Sequence, residues 1–286
     1  MPARRLNTRD RQDGSVTDRR TFLTRTGDET FLPSPSAVGP WGPSTVSGLV
    51  VCGLVGYAAE QAAGDEDFVG TRLTVDMVRM AAQGELRTKS TVLREGRRLR
   101  LVDVTITQQG RNVAHGRGVF ARRSQTPPGE VWAPGVVMPA PPDADETPVF
   151  GPKPYVGDQA LPARDFDPWR DASQAKYVWY DFDATLVEGE QTSPFVRAAA
   201  VADVSNPLTN WGSEGLQFVN SDVTMLLSRL PEGTMLGLAP RDRHDAGGIS
   251  VGTAVIYDRL GPIGVTTVAA LPSEVRMQIP NHPRAD

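Results

Sequence analysis

A chain of 286 residues with 30 Lys plus Arg against 34 Asp plus Glu carries a formal charge of −4. That excludes a wholly basic nucleic-acid binder and leaves room for a local basic patch. Hydrophobic residues make up 39% and charged residues 22%, a globular composition with room for about two domains. One cysteine excludes a disulfide framework or a multi-cysteine zinc site, and three scattered histidines argue against a His-based metal centre. No metal and no cofactor is expected.

Residues 1–20 carry six arginines and no apolar pattern, as a mobile tail would. They lack the apolar core of a secretory signal, which points to the cytoplasm. Residues 41–63 (WGPSTVSGLVVCGLVGYAAEQAA) read as a helix that is apolar all round and therefore enclosed. Ser44 or Ser47 caps its start and Gly64 ends it. Its apolar run at 46–59 has 14 residues, short of the ~20 needed to span a membrane. Strand-like runs follow at 68–80, 86–94, 98–108 and 112–122. Residues 124–172 are Pro-rich and weakly periodic, a linker with extended segments in which Trp132, Val136, Val137 and Met138 pack against a surface. The second half holds YVWYDFDATL at 177–186 and a helical stretch near 194–204, then strand-like runs at 217–230, 234–240, 249–258 and 263–271.

These two halves correspond. FVGTRLTVDMVRM at 68–80 and FVNSDVTMLLSRL at 218–230 share Phe68 and Phe218, Val69 and Val219, Thr74 and Thr224, and Arg79 and Arg229, all at an offset of 150. The same offset aligns VTITQQGRNVA at 104–114 with AVIYDRLGPIG at 254–264, each a pair of strands around a Gly-bearing turn. Two copies of one α+β unit are expected, at 21–123 and 173–275, with a short tail at 276–286.

One buried helix followed by antiparallel strands, present twice, resembles the double hotdog fold, in which two antiparallel sheets each wrap around a central helix. The chain is similar to the acyl-CoA thioesterase II family. The likeness rests on GLVVCGLVGYAAE, FVGTRLTVDMVRM and LRLVDVTITQQGRNVAHGRGVF in the first half. In the second it rests on VADVSNPL, FVNSDVTMLLSRLPEG, GISVGTAVIYDRLGPIG and VTTVAAL. It implies hydrolysis of an acyl-CoA thioester by water held between an Asp, a Thr and a Gln. The Asp position falls on Asp203, the Thr position on Asn220 and the Gln position on Ala269. A carboxylate takes the proton of the attacking water, and neutral donors fix the water and the oxyanion. Asn220 keeps a donor and an acceptor, Ala269 has neither, and Gln217 or Thr266 substitutes if it points inward.

Residues 79–123 hold 11 basic residues against three acids. The cluster Arg94, Arg97 and Arg98 reads either as a solvated hairpin loop or as the candidate rim for the phosphates of coenzyme A. With only Phe120 nearby, it lacks the stacking aromatics of a nucleic-acid site. Trp211, in NPLTNWGSEG, is a candidate cover for the pocket mouth. Cys52 reads as a buried small residue, and Asp222 as solvent-facing or ion-paired. A homodimer or higher homo-oligomer fits the resemblance. Two alternatives stand beside hydrolysis. One is a protein that binds acyl-CoA or a partner without cleaving it, favoured by Ala269. The other is a hotdog enoyl-CoA hydratase, whose Asp and Asn-Pro occur here in DVSNPLTN with an extra residue and no His.

Overall fold

The computed structural model describes residues 20–132, 135, 137–142, 150–163, 165–275 and 277. Residues 1–19 of the expected N-terminal tail at 1–20, Val136 and nearly all of the tail at 276–286 lie outside the described residues. Strands β1 (Thr21–Gly27) and β2 (Thr30–Pro33) lead into helix α1 (Gly48–Ala63). Strands β3 (Phe68–Met77), β4 (Leu86–Glu95), β5 (Leu99–Gln108) and β6 (Arg111–Arg122) follow. Then come β7 (Gly151–Val156), β8 (Gln159–Ala160), β9 (Lys176–Asp181) and β10 (Thr185–Val187). Helices α2 (Pro194–Ala202) and α3 (Ser205–Asn210) precede a small hairpin, β11 (Trp211–Gly212) and β12 (Gly215–Leu216). The chain closes with β13 (Phe218–Asn220), β14 (Asp222–Leu227), β15 (Met235–Ala246), β16 (Ile249–Asp258) and β17 (Gly261–Pro272).

Helix α1 starts seven residues later than its apolar pattern suggests. Gly42, at φ 141°, precedes Pro43, and a residue before proline is steered away from helix. Thr45 and Val46 are then drawn into bridges with Ala82 and Val38. Ser47 takes the N-cap position without a side-chain cap bond, and Gly64 ends the helix in the left-handed region at φ 62°. As its composition requires, α1 is buried on nearly every side and packs on α2 and on β3–β6.

Two separate sheets were expected. Among the described residues the strands instead join into one sheet of 15, in the order β10-β1-β2-β4-β5-β6-β3-β14-β17-β16-β15-β9-β7-β8, with β13 beside β17. The two halves are welded by antiparallel pairing of β3 with β14, where Thr74 stands opposite Thr224 and their hydroxyls lie 3.4 Å apart. A 150-residue offset combined with antiparallel pairing brings only one equivalent pair face to face, and this is that pair. The bounds of β5 and β16, and of β6 and β17, also differ by 150 at both ends. The first hairpin turns at Gln109-Gly110, both at positive φ (50° and 74°), as a two-residue turn of primed type requires.

The Pro-rich stretch is more than a linker. It supplies β7, which pairs with β9 near the sheet's edge, where the N–H groups missing at Pro152 and Pro154 cost little. It also supplies the buried Phe166 and Trp169. Met138 packs on a second apolar cluster of Tyr155, Trp179, Met235 and Tyr257. The indole of Trp179 donates to the Pro139 carbonyl at 2.9 Å, and the Tyr155 hydroxyl to Ala140 at 3.3 Å. Trp132 and Val137, at 84% and 78% exposure, do not pack.

At the turn between β16 and β17 the fully buried carboxylate of Asp258 accepts from Arg229, at 2.7 Å to one guanidinium nitrogen, and from the N–H groups of Glu232 and Leu260. Burial pushes its pKa up, but Arg229 and the backbone donors outweigh it and leave the carboxyl below its usual range. Its stabilisation is therefore present above the unfolded pKa and lost as pH falls through the lowered one. Asp258→Ala strands two part-buried N–H donors and is expected to cost about 1–3 kcal/mol. Arg229, 36% exposed, recovers water and tempers the loss. Urea denaturation of the variant at pH 7 measures it.

Candidate active site

Helix α2 is capped by Ser193, whose hydroxyl accepts the N–H of Val196 at 3.1 Å, with Pro194 at its first position. It cannot run on into α3, because Pro207 lacks the N–H that would bond the carbonyl four residues back, and its ring crowds that carbonyl. The residue four back is Asp203. The helix therefore breaks at Asp203-Val204, and its side chain emerges at the break.

The Asp203 carboxylate meets the start of α1. It accepts the N–H of Leu49 in the first helical turn and the side-chain amide of Asn220 at 3.0 Å. Gly48 makes the approach possible, since a Cβ there would stand 2.7 Å from both carboxylate oxygens. Burial pushes the Asp203 pKa up to about 6, against the lowering effect of the Asn220 and Leu49 donors. A carboxyl tuned so close to neutrality, ionised at pH 7 and ready to accept a proton, suits general-base work.

Asp203 and Asn220, singled out in sequence, are thus brought together. Asn220 is held by its neighbourhood. The Asn206 amide donates to the carbonyl of Phe218, two residues before Asn220, at 3.1 Å. Asn206 in turn accepts from Asn210 at 3.0 Å, and Asn210 accepts from Ser250 at 2.5 Å. This buried chain fixes β13 against α3 and was not legible from spacing. Thr266 is fully buried beneath the break, its hydroxyl 3.4 Å from both the Ala202 carbonyl and the Ser205 hydroxyl.

Asn220 pairs across the ladder with Ala270, so alternation puts Ala269 on the other face, beside Val251. Neither alanine carries a polar side-chain atom. Asp222 accepts the N–H of Ala269 at 3.1 Å and the Ser221 hydroxyl at 3.2 Å, bracing the break between β13 and β14 instead of facing solvent or an ion partner. Cys52 is fully buried, and burial together with the nearby Asp203 charge raises its pKa well above the usual thiol value. It is a packing residue.

The arginine cluster lies elsewhere. Arg94, Arg97 and Arg98 are exposed on the β4–β5 hairpin, whose neighbour Arg100 bonds the Ala63 carbonyl at the C-terminal end of α1. Asp203 sits at the other end of that helix, which at 1.5 Å per residue is about 24 Å long. Trp211 is buried and stacks on Phe166 at 5.0 Å, with Trp169 edge-on at 6.1 Å, so it is part of the core.

The place related to Asn220 by the 150 offset is Gly70, and it pairs with Phe120 as Asn220 pairs with Ala270. A Cβ on Gly70 would collide with the ring of Phe195, which also lies 5.3 Å from Phe120. One half thus sets a carboxylate and an amide beside Gly48 and Ala270, and the other fills the matching place with two phenyl rings.

Comparison with solved structures gives the class: this is a hot dog fold. A tesB protein of Mycobacterium avium subs paratuberculosis superposes with a TM-score of 0.65 at 14% identity, covering 87% of this chain and 95% of that one. A thioesterase II from Thermobifida fusca, titled putative, gives 0.64 at 17%, covering 91% and 100%. A protein of unknown function with a hot dog fold from Alicyclobacillus acidocaldarius gives 0.61 at 18%, covering 90% and 96%. No curated protein matches the sequence. Residues 37–121 match the acyl-CoA thioesterase N-terminal domain and residues 135–270 the C-terminal domain, so the chain belongs to the acyl-CoA thioesterase family. Among the described residues no helix is long and apolar enough to cross a membrane, and no three His, Cys, Asp or Glu side chains gather as a metal site.

Proposed function

We propose that this chain hydrolyses an acyl-CoA thioester to the free acid and CoA in the cytoplasm, with Asp203 as general base. The observation that carries the reading is the Asp203 carboxylate, pKa about 6, held between the first turn of α1 and the Asn220 amide. Water attacks the thioester carbonyl carbon while Asp203 takes its proton. The Asn220 amide has a second N–H for the developing oxyanion, and the positive end of α1 favours negative charge there. Collapse breaks the C–S bond, and the protonated Asp203 returns its proton to the departing CoA sulfur. The acid, the thiol and the carboxylate are then all accounted for.

The same reading divides the chain into two hot dog units, 21–123 around α1 and 173–275 around α2 and α3, a double hotdog with one reacting centre. The contacts of α1 with β3–β6 and of α3 with β13 and β15–β17 support it. The phenyl rings at Gly70 support a single centre. Binding without cleavage is the second reading, favoured by the absence of any polar side chain at 269 and 270.

The test is release of free CoA thiol from a panel of short to long acyl-CoAs. Turnover with at least one supports hydrolysis. Saturable CoA binding with no turnover from a well-folded protein supports the second reading and removes the first.

A further inference from the structure

A second cluster of positive charge, apart from the one that sequence density suggests, lines a cleft beside α3. The cleft, of about 260 Å³, opens between the C-terminal half of α3, the start of β9 and the middle of β15. Lys176, Arg241 and Arg243 line it with Asp242 as the single acid, three cations against one. Gln174 and Thr209 complete its polar wall. The volume is below the ~300 Å³ at which pockets for whole drug-sized ligands begin, and it suits one or two phosphate groups.

Local structure explains why the cations converge. The register of β15 against β16 shifts between Pro240 and Asp242, and such a bulge re-aims the side chains beside it. Arg241, the unpaired residue of the bulge, and Arg243, opposite Gly252, both reach the cleft from this stretch. Asp242 is tied by its own N–H to the Thr253 hydroxyl at 3.1 Å. Lys176 is anchored at 2.6 Å to the Trp211 carbonyl, which aims its charge at the cleft wall. Both arginines have partners at the surface, and Arg243 also lies 5.8 Å over the ring of Phe218. Arg241 lies 3.6 Å from Asp242, Arg243 pairs with Asp245, and their side chains are 47% and 37% exposed. Exposed pairs of this kind are worth about 1 kcal/mol or less. A multivalent anion offering bidentate oxygens to two guanidinium forks competes readily. Thr209 lies on α3, the helix that follows Asp203 after the break, so the cleft borders the segment that leads away from the carboxylate.

We propose that this cleft binds a phosphate-bearing group. It is either the phosphorylated nucleotide end of the thioester substrate or a free nucleotide acting beside it. The first source rests on the hydrolase reading above; the anion site itself does not.

The probe is adenosine 3′,5′-bisphosphate, titrated calorimetrically into the full chain at low salt. Saturable binding that weakens with added salt is expected. Arg241→Ala with Arg243→Ala weakens it about tenfold or more, the loss of charge-assisted hydrogen bonds. Arg243→Lys alone, which keeps the charge and loses the fork, weakens it less than the double variant. Replacing Arg94, Arg97 and Arg98 together by Ala leaves it unchanged. Circular dichroism checks that the variants fold. Displacement of the bisphosphate by CoA identifies the substrate's own nucleotide, and simultaneous binding of both identifies a free nucleotide. Absence of saturable binding overturns the proposal, as does undiminished binding by the Arg241/Arg243 variant or loss in the Arg94 cluster variant. No readout needs turnover, so a failure here is separate from a failure of hydrolysis.

Discussion

Asp203→Asn is expected to lower kcat for thioester hydrolysis by about 10²–10⁴, the range of a lost general base, and to leave the protein more stable than wild type. The two effects have one cause. Burial raises the Asp203 pKa to about 6 in the folded state, above the unfolded carboxylate value of about 3.9. A raised acid pKa means that the folded chain holds the proton more tightly than the unfolded chain. Stability is therefore greatest below the unfolded pKa and declines as pH rises from about 4 to about 6. At pH 7 the ionised carboxylate costs the fold about 1–3 kcal/mol on this shift, discounted for the partial exposure of the residue. A neutral amide of the same shape removes that cost. Thermal denaturation at pH 7 should place the variant a few degrees higher, with the advantage vanishing near pH 4. A merely structural aspartate at the α2–α3 break would show loss of stability instead.

Phe195→Ala carries the largest expected cost in stability, about 3–5 kcal/mol for truncating a fully buried phenylalanine. The ring is 0% exposed and fills the place beside Gly70 that Asp203 fills beside Asn220. Its neighbours include the backbone of β3 at Gly70 and the ring of Phe120, which cannot collapse into the void without moving β3 or β6. Urea denaturation measures the loss. Because the ring serves the half without the carboxylate, kcat/KM per folded molecule should change little. A large fall would mean that the two places are coupled.

How much of this was legible in the sequence depends on the range over which each feature is determined. Strand bounds on β5, β6, β16 and β17 were close, because period-two patterning and the Gly of a tight turn act locally, and the 150 offset repeats the same local information. The start of α1 was misplaced because Thr45 and Val46 pair with residues distant in sequence. The single sheet was hidden for the same reason. The β3–β14 seam joins two strands of ordinary pattern, and only their meeting at Thr74 and Thr224 reveals it. The Pro-rich stretch looked unstructured because proline weakens both ladder and helix signals, yet an edge beside β9 tolerates it.

At the site, Asp203 and Asn220 came from resemblance. Pro207 supplies the physical reason for the break at Asp203 and could have been read directly. Gly48 carried no signal, since its role is a contact between two helix ends. The Arg94 cluster stood out through density of charge along the chain, but a helix length separates it from Asp203. Arg241 and Arg243, spread among acids in RDRHD, did not stand out.

The central claim is that one carboxylate, Asp203, titrating near pH 6, drives thioester cleavage. The pH dependence of kcat/KM for CoA thiol release between pH 4.5 and 8.5 tests it most directly. The account predicts a rise through a single ionisation near pH 6 to a plateau, and no such step in the residual activity of Asp203→Asn. A profile flat across this range, or the same step persisting in the variant, would contradict it.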